Sequence, residues 1–383
     1  MADDKDFTEG LEDVVAGKSA ICDVNGSEGK LIYAGYDIHD LAENTTFEEV
    51  IYLLWNGKLP NSDELNALRS DLDAHRAIPE PALNLIRQFP HEVAPMDAIR
   101  TAVSLIAFYD PDKTDNSLEA NRRKAVRLTA QLGTLVATLD RLRNGKEPIA
   151  PKTGLSTAEN FLYQLTGELP DSVAARALDV ALILHADHEL NASTFAARVT
   201  VATLTDMYSG VVSALGTLAG PLHGGANVNV MHLLSEIGTP DRADEVVSSM
   251  LAQGKKIPGI GHRVYRALDP RAVSLRDMSK KLAETSGDSK WYEISEKVQE
   301  AADKALMAKG KTTLKANVDF FSASVYHVLH IPTDQFTPVF AISRVAGWTA
   351  HILEQYANNR LIRPRAIYVG PRDLTVDPIA NRA

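Results

Sequence analysis

From Thr46 to Tyr356 the chain reads as one helical stretch after another, each with its own start and stop signals. Thr46 followed by Glu49 is a capping box for the run 47–55, which Gly57 and Pro60 end. Ser62 opens the next stretch, with Leu65, Leu68 and Leu72 at three- and four-residue spacing. Pro79 and Pro81 precede a short helix through Leu83 and Ile86. Helices are predicted at 96–109, 122–143, 156–165 and 171–185, the long amphipathic 122–143 being ended by Asn144-Gly145. From 192 to 218 the chain is largely apolar with small residues interleaved, a pattern of buried, closely packed helices. The helical pattern resumes at 228–237, 243–253, 270–285, 289–308, 318–329 and 336–356.

Only 20–38 breaks this pattern. Ala20-Ile21-Cys22 and Leu31-Ile32-Tyr33 are strand-like runs around the turn residues Asn25-Gly26-Ser27-Glu28-Gly29. The expected fold is therefore mainly α with a short N-terminal β-hairpin. A length of 383 residues allows one large domain or two, and 45% hydrophobic residues supply ample core.

Charge and cysteine usage narrow the function classes. Fifty acidic against 40 basic residues give a formal net charge of -10, which argues against a nucleic-acid binder. Anionic ligands then need local arginine clusters. Cys22 is the only cysteine, so neither an internal disulfide nor a multi-cysteine metal site is available. The acidic start Met1-Ala2-Asp3-Asp4-Lys5-Asp6 lacks the apolar segment of a signal peptide, and no apolar run reaches membrane-spanning length. A reducing, cytoplasmic setting is expected, with no membrane partner.

The chemistry concentrates between Gly220 and Arg271. That stretch opens Gly220-Pro221-Leu222-His223-Gly224-Gly225-Ala226-Asn227. It closes Gly259-Ile260-Gly261-His262-Arg263-Val264-Tyr265-Arg266-Ala267-Leu268-Asp269-Pro270-Arg271. Glycine lets a backbone approach a ligand closely, and an imidazole on such a loop can polarise or protonate a carbonyl oxygen. Asp319 lies between Val318 and Phe320, where an apolar setting raises a carboxylate's basicity. An aspartate directly ahead of a helical pattern is equally the residue type of an N-cap, and both readings stay open here. Arg344 sits inside a long, largely apolar helix, whereas Arg363 and Arg365 alone read as surface charge.

These motifs, with Asn317-Val318-Asp319 and His185-Ala186-Asp187-His188-Glu189-Leu190-Asn191-Ala192-Ser193-Thr194, resemble those of citrate synthase, of the compact kind found in archaea and many bacteria. The resemblance runs from Gly35-Tyr36-Asp37-Ile38 to Arg363-Pro364-Arg365. It implies a large helical domain from 1–222 and 335–383, and a smaller inserted helical domain at 223–334. It implies condensation of acetyl-CoA, as co-substrate, with oxaloacetate, then hydrolysis of citryl-CoA, with no metal and no permanently bound cofactor. Asp319 would be the base, His223 the donor to the thioester oxygen, and His262 the donor to the ketone. His188, Arg271, Arg344 and Arg363 would bind the dicarboxylate, Arg363 across a homodimer interface. Arg266, Ile257, Gly259, Gly261 and, more weakly, Lys311 would contact CoA. Ile260 stands where the family often has an aromatic residue, which bears on acyl selectivity. 2-Methylcitrate synthase, which takes propionyl-CoA, is the alternative within the family.

Two other readings come from the residues themselves. His185 and His188, three apart on a helical stretch, suit a metal-dependent hydrolase. Gly17-Lys18-Ser19 and Gly310-Lys311-Thr312 echo the end of a phosphate loop. Glu12 and Ala305 replace the first glycine that such a loop needs, so a nucleotide cofactor is not expected.

Overall fold

The computed structural model describes residues 7–382, so the acidic N-terminal hexapeptide lies outside the described residues. Strands β1 (Cys22–Asn25) and β2 (Lys30–Tyr33) pair antiparallel, with Cys22 opposite Tyr33 and Asn25 opposite Lys30. The predicted hairpin gains a third strand, β3 (Tyr36–Asp37), too short to show a period in sequence. The helices of the N-terminal half are α1 (Ile38–Asn44), α2 (Phe47–Asn56), α3 (Ser62–His75), α4 (Glu80–Ile86), α5 (Pro95–Ile106), α6 (Leu118–Arg143), α7 (Thr157–Thr166) and α8 (Ser172–His185). Then follow α9 (Ala192–Val201), α10 (Met207–Leu218), α11 (Ala226–Ile237), α12 (Ala243–Ala252), α13 (Pro270–Ser286), α14 (Lys290–Ala308), α15 (Val318–Val328) and α16 (Phe336–Ala357). Among the described residues no helix is long and apolar enough to cross a membrane.

Local signals set most of these boundaries. Thr46 and Glu49 form the expected reciprocal capping box. The next helix opens at Ser62 as expected, capped by Asn61 with a box to Glu64. Ser117 caps α6 and starts it four residues before the predicted 122, because 118–121 is also helix-compatible.

The core is built around α16. Every residue from Phe336 to Leu353 is buried, so this helix has no solvent face. It packs on α6, α9, α10, α2 and α8. Helices α11 to α15 pack mainly on one another: α13 on α15 and α14, α12 on α14, and α11 on α15. This group leans on the rest of the molecule where α13 meets α8 and α1. The cleft described next lies along that junction.

Candidate active site

His262 sits on an irregular loop between α12 and α13. The first part of the loop runs beside the segment that leads into α15: Ile260 bridges Ala316, and Gly261 N–H donates to Lys315 O at 2.7 Å. Gly261 adopts φ +97°, a conformation that a side chain disfavours. The Nδ1 atom of His262 accepts N–H groups from Val264 at 3.0 Å and Tyr265 at 3.2 Å. That fixes the ring proton on Nε2, which is thereby a donor. Burial and the charge of Arg271 lower its pKa to about 4, so the ring is neutral at neutral pH.

His223 lies in the turn ahead of α11. The turn is wedged in place: Thr337 Oγ1 donates to Gly224 O at 2.8 Å, and a Cβ on Gly224 would stand 2.3 Å from Leu218 O. His223 Nε2 is 2.8 Å from Ser193 Oγ, which also accepts the indole N–H of Trp348 at 3.1 Å. Burial and Arg344 lower its pKa to about 4.

Asp319 is the second residue of α15 and is not its cap. Asn317 is the cap: its Oδ1 accepts Asp319 N–H at 3.0 Å, and its Nδ2 donates to Gly261 O at 2.8 Å. One amide thus ties the start of α15 to the His262 loop. Burial pushes the Asp319 carboxyl up to about 6 against the pull of Arg271, with Asp269 adding to the rise. A carboxylate at that value is ionised at neutral pH and more basic than usual.

The guanidinium groups are buried. Arg271, 3% exposed, opens α13 and pairs with Asp269 through Nε–Oδ1 at 2.9 Å and Nη2–Oδ2 at 2.8 Å. Asp269 also caps α13 and accepts Val318 N–H at 3.0 Å, so it anchors two helix starts and one arginine. Arg344, 1% exposed, donates from Nε to His185 O at 2.7 Å. Its Nη2 is buried with no partner among the described residues, an unmet donor that suits an anionic ligand. His188 is buried beside them, its ring 5.4 Å from that of His262 and its Nε2 3.3 Å from Tyr265 Oη. Burial, then Arg271, His262, Arg344 and His223, hold it well below the usual imidazole range.

His188, His223, His262, Asp319, Arg271 and Arg344 therefore form one cluster, in which the charge of Arg271 or Arg344 shifts the titration of each imidazole and of Asp319. Ile257, Gly259 and Gly261 belong to its loop wall, with Asn317 N–H donating to Gly259 O at 2.9 Å. Arg266 is exposed on the same loop, and Lys311 is exposed after α14. Arg363 is exposed on the irregular segment after α16, and among the described residues no hydrogen bond or ion pair ties it to the cleft. His185 is fully buried, with Nδ1 2.7 Å from Ala181 O and its ring edge-on to Phe340. Among the described residues no three His, Cys, Asp or Glu side chains gather as metal ligands, which leaves the hydrolase reading without a ligand set. Sequence reasoning passed over Ser193, Trp348, Asn317 and Asp269 as members of this constellation. Two of them carried a local signal: Asp269-Pro270, a cap followed by proline at the first helical position, and Asn317, a cap-type residue directly ahead of the 318–329 pattern.

Fold and site together define an all-α protein with a cluster of one raised carboxylate, neutral imidazoles and two buried guanidinium groups. The family described as "Citrate synthase, C-terminal domain" matches residues 10–365. Citrate synthase 2 of Bacillus subtilis is 50% identical over 377 residues, covering 98% of this chain and 99% of that protein. 2-Methylcitrate synthase 1 of Corynebacterium glutamicum is 40% identical, with 99% of each chain covered. The Thermoplasma acidophilum citrate synthase, solved in ternary complex with carboxymethyl coenzyme A and oxaloacetate, superposes with a TM-score of 0.90 at 35% identity, covering 98% of this chain and 99% of that one. The chain belongs to the citrate synthase family.

Proposed function

We propose that this chain is a citrate synthase, condensing acetyl-CoA with oxaloacetate and releasing citrate and CoA. The observation that carries the reading is a carboxylate raised to about 6 in a cleft whose imidazoles His223 and His262 are both held near 4, hence neutral donors. Asp319 takes a proton from the thioester methyl group, and the C–H electron pair forms the enol. His223 stabilises the developing charge on the thioester oxygen from Nδ1. That role requires Ser193 O–H to point at His223 Nε2 rather than at Asn191 Oδ1, 2.8 Å away on the other side. The enol carbon bonds to the ketone carbon of oxaloacetate, and His262 Nε2–H protonates the resulting alkoxide. Water then cleaves the thioester and CoA leaves as the thiol.

Arg271, Arg344 and His188 hold the dicarboxylate, the unmet Nη2 of Arg344 being filled by a carboxylate oxygen. Arg363 completes the pocket from a second copy of the chain. Arg266 and the 257–261 loop, with Lys311, receive CoA. No metal and no permanently bound cofactor takes part, and the protein works in the cytoplasm as a homodimer. Propionyl-CoA, the 2-methylcitrate synthase substrate, differs by one methylene, worth about 1–3 kcal/mol of discrimination. The test is thiol release from acetyl-CoA with oxaloacetate. It is expected to fall by about 10³-fold or more in Asp319→Asn and His262→Ala, and near-normal turnover in either variant contradicts the assignment.

A further inference from the structure

The N-terminal sheet has no part in the chemistry above, yet it touches both segments that carry the cleft's paired histidines. At one end of the hairpin Tyr33 is fully buried, and its hydroxyl donates to Asp187 O at 2.9 Å and accepts Asp187 N–H at 3.1 Å. Cys22, its partner across the ladder, accepts Glu189 N–H on Sγ at 3.2 Å. The residues on either side of His188 are thus tied to one rung of the hairpin. At the other end, the turn lies against the backbone that follows His262. Arg266 N–H donates to Gly26 O at 2.9 Å. A Cβ on Gly26 would stand 2.3 Å from Val264 O and 2.8 Å from Val264 C, and one on Gly29 would stand 2.8 Å from Leu268 O. Val264 and Tyr265 supply the two N–H groups that hold His262 Nδ1. The two imidazoles so held stand 5.4 Å apart, centroid to centroid.

We propose that the N-terminal hairpin is a positioning clamp for the active site: Tyr33 and Cys22 seat the His188 segment, the Gly26 turn seats the His262 loop, and the ladder between them sets the spacing of the two rings. Neither Gly26 nor Tyr33 touches substrate; each acts through a histidine. The activity readouts rest on the citrate synthase reading. A loop carrying His262 that is displaced by about 1 Å is enough to cost about 10²-fold in rate.

Two glycines separate this role from plain fold stability. Gly26 has no positive φ, so alanine there strains nothing but the contact with Val264. Gly35, in the turn between β2 and β3, has φ +93° with nothing within 4 Å of a built Cβ, so Gly35→Ala strains that turn without touching the Gly26 turn or the His262 loop. Steady-state kinetics of the full chain, well below the melting temperature of each variant, give the test. Gly26→Ala is expected to lower kcat by about 10- to 100-fold, and Gly35→Ala to stay within about twofold of the parent. Tyr33→Phe, acting through His188, is expected to raise the KM for oxaloacetate about five- to tenfold with kcat within about twofold. A folded Gly26→Ala with unchanged kcat and KM overturns the clamp, as does equal loss in Gly35→Ala. If Gly26→Ala does not fold, Tyr33→Phe decides alone, and an unchanged KM overturns the proposal. Failure of the citrate synthase reading itself shows earlier, as absence of thiol release by the unaltered chain.

Discussion

Asp319 carries the largest conflict between stability and chemistry. Its pKa is raised from the unfolded value of about 3.9 to about 6 by burial, partly offset by Arg271. An acid whose folded pKa is raised favours folding when protonated, so its penalty grows as pH climbs through that interval and is complete above it. Asp319→Asn should therefore abolish turnover and yet stabilise the fold at about pH 8 by on the order of 1–3 kcal/mol, the gain vanishing below about pH 4. Denaturant titrations at the two pH values check this, and a variant less stable at the higher pH contradicts it. By the same shift, kcat/KM should fall with unit slope below a pH of about 6 and level off above it. The imidazoles near 4 leave that limb to the carboxylate. A rate flat down to pH of about 5 would remove Asp319 from the role of base.

Helix starts do much of the positioning. Asn317 caps α15 through Oδ1 and reaches the His262 loop through Nδ2. Asn317→Asp keeps the acceptor and loses the donor, so stability should drop by less than the roughly 1 kcal/mol expected for Asn317→Ala. Turnover should fall in both, since both free the loop that bears His262. Full turnover in Asn317→Asp would mean that the bridge to Gly261 is dispensable. Caps of this kind are where sequence reading works best, because the signal lies within four residues: Thr46 with Glu49 shows it. The same reading left Asp319 open as a cap, since a neighbour two residues earlier can do that work. Ser193 was out of reach for another reason. Its partner Trp348 lies 155 residues away, a pairing made by the packing of α9 on α16 and by no local pattern. The burial of Arg344 was legible only as an arginine in an apolar helix, and its unmet Nη2 appears only in three dimensions.

At the scale of the molecule, the segment after α16 is the least self-contained part. Leu361, Tyr368, Val369, Leu374, Val376 and Ile379 are all exposed there, the last four at 77% or more. Exposed apolar side chains gathered on one segment mark an interaction surface. With Arg363 assigned to the neighbouring copy, the account predicts a dimer by light scattering, weakened when residues 361–383 are deleted. A monomeric full chain that still turns over would remove Arg363 from the site. The central claim is tested most directly by thiol release with oxaloacetate, comparing acetyl-CoA and propionyl-CoA at matched concentrations. The account predicts release from both, with kcat/KM about 10-fold or more in favour of acetyl-CoA. A preference for propionyl-CoA would make the protein a 2-methylcitrate synthase on the same residues, and release from neither would contradict the assignment of the cleft.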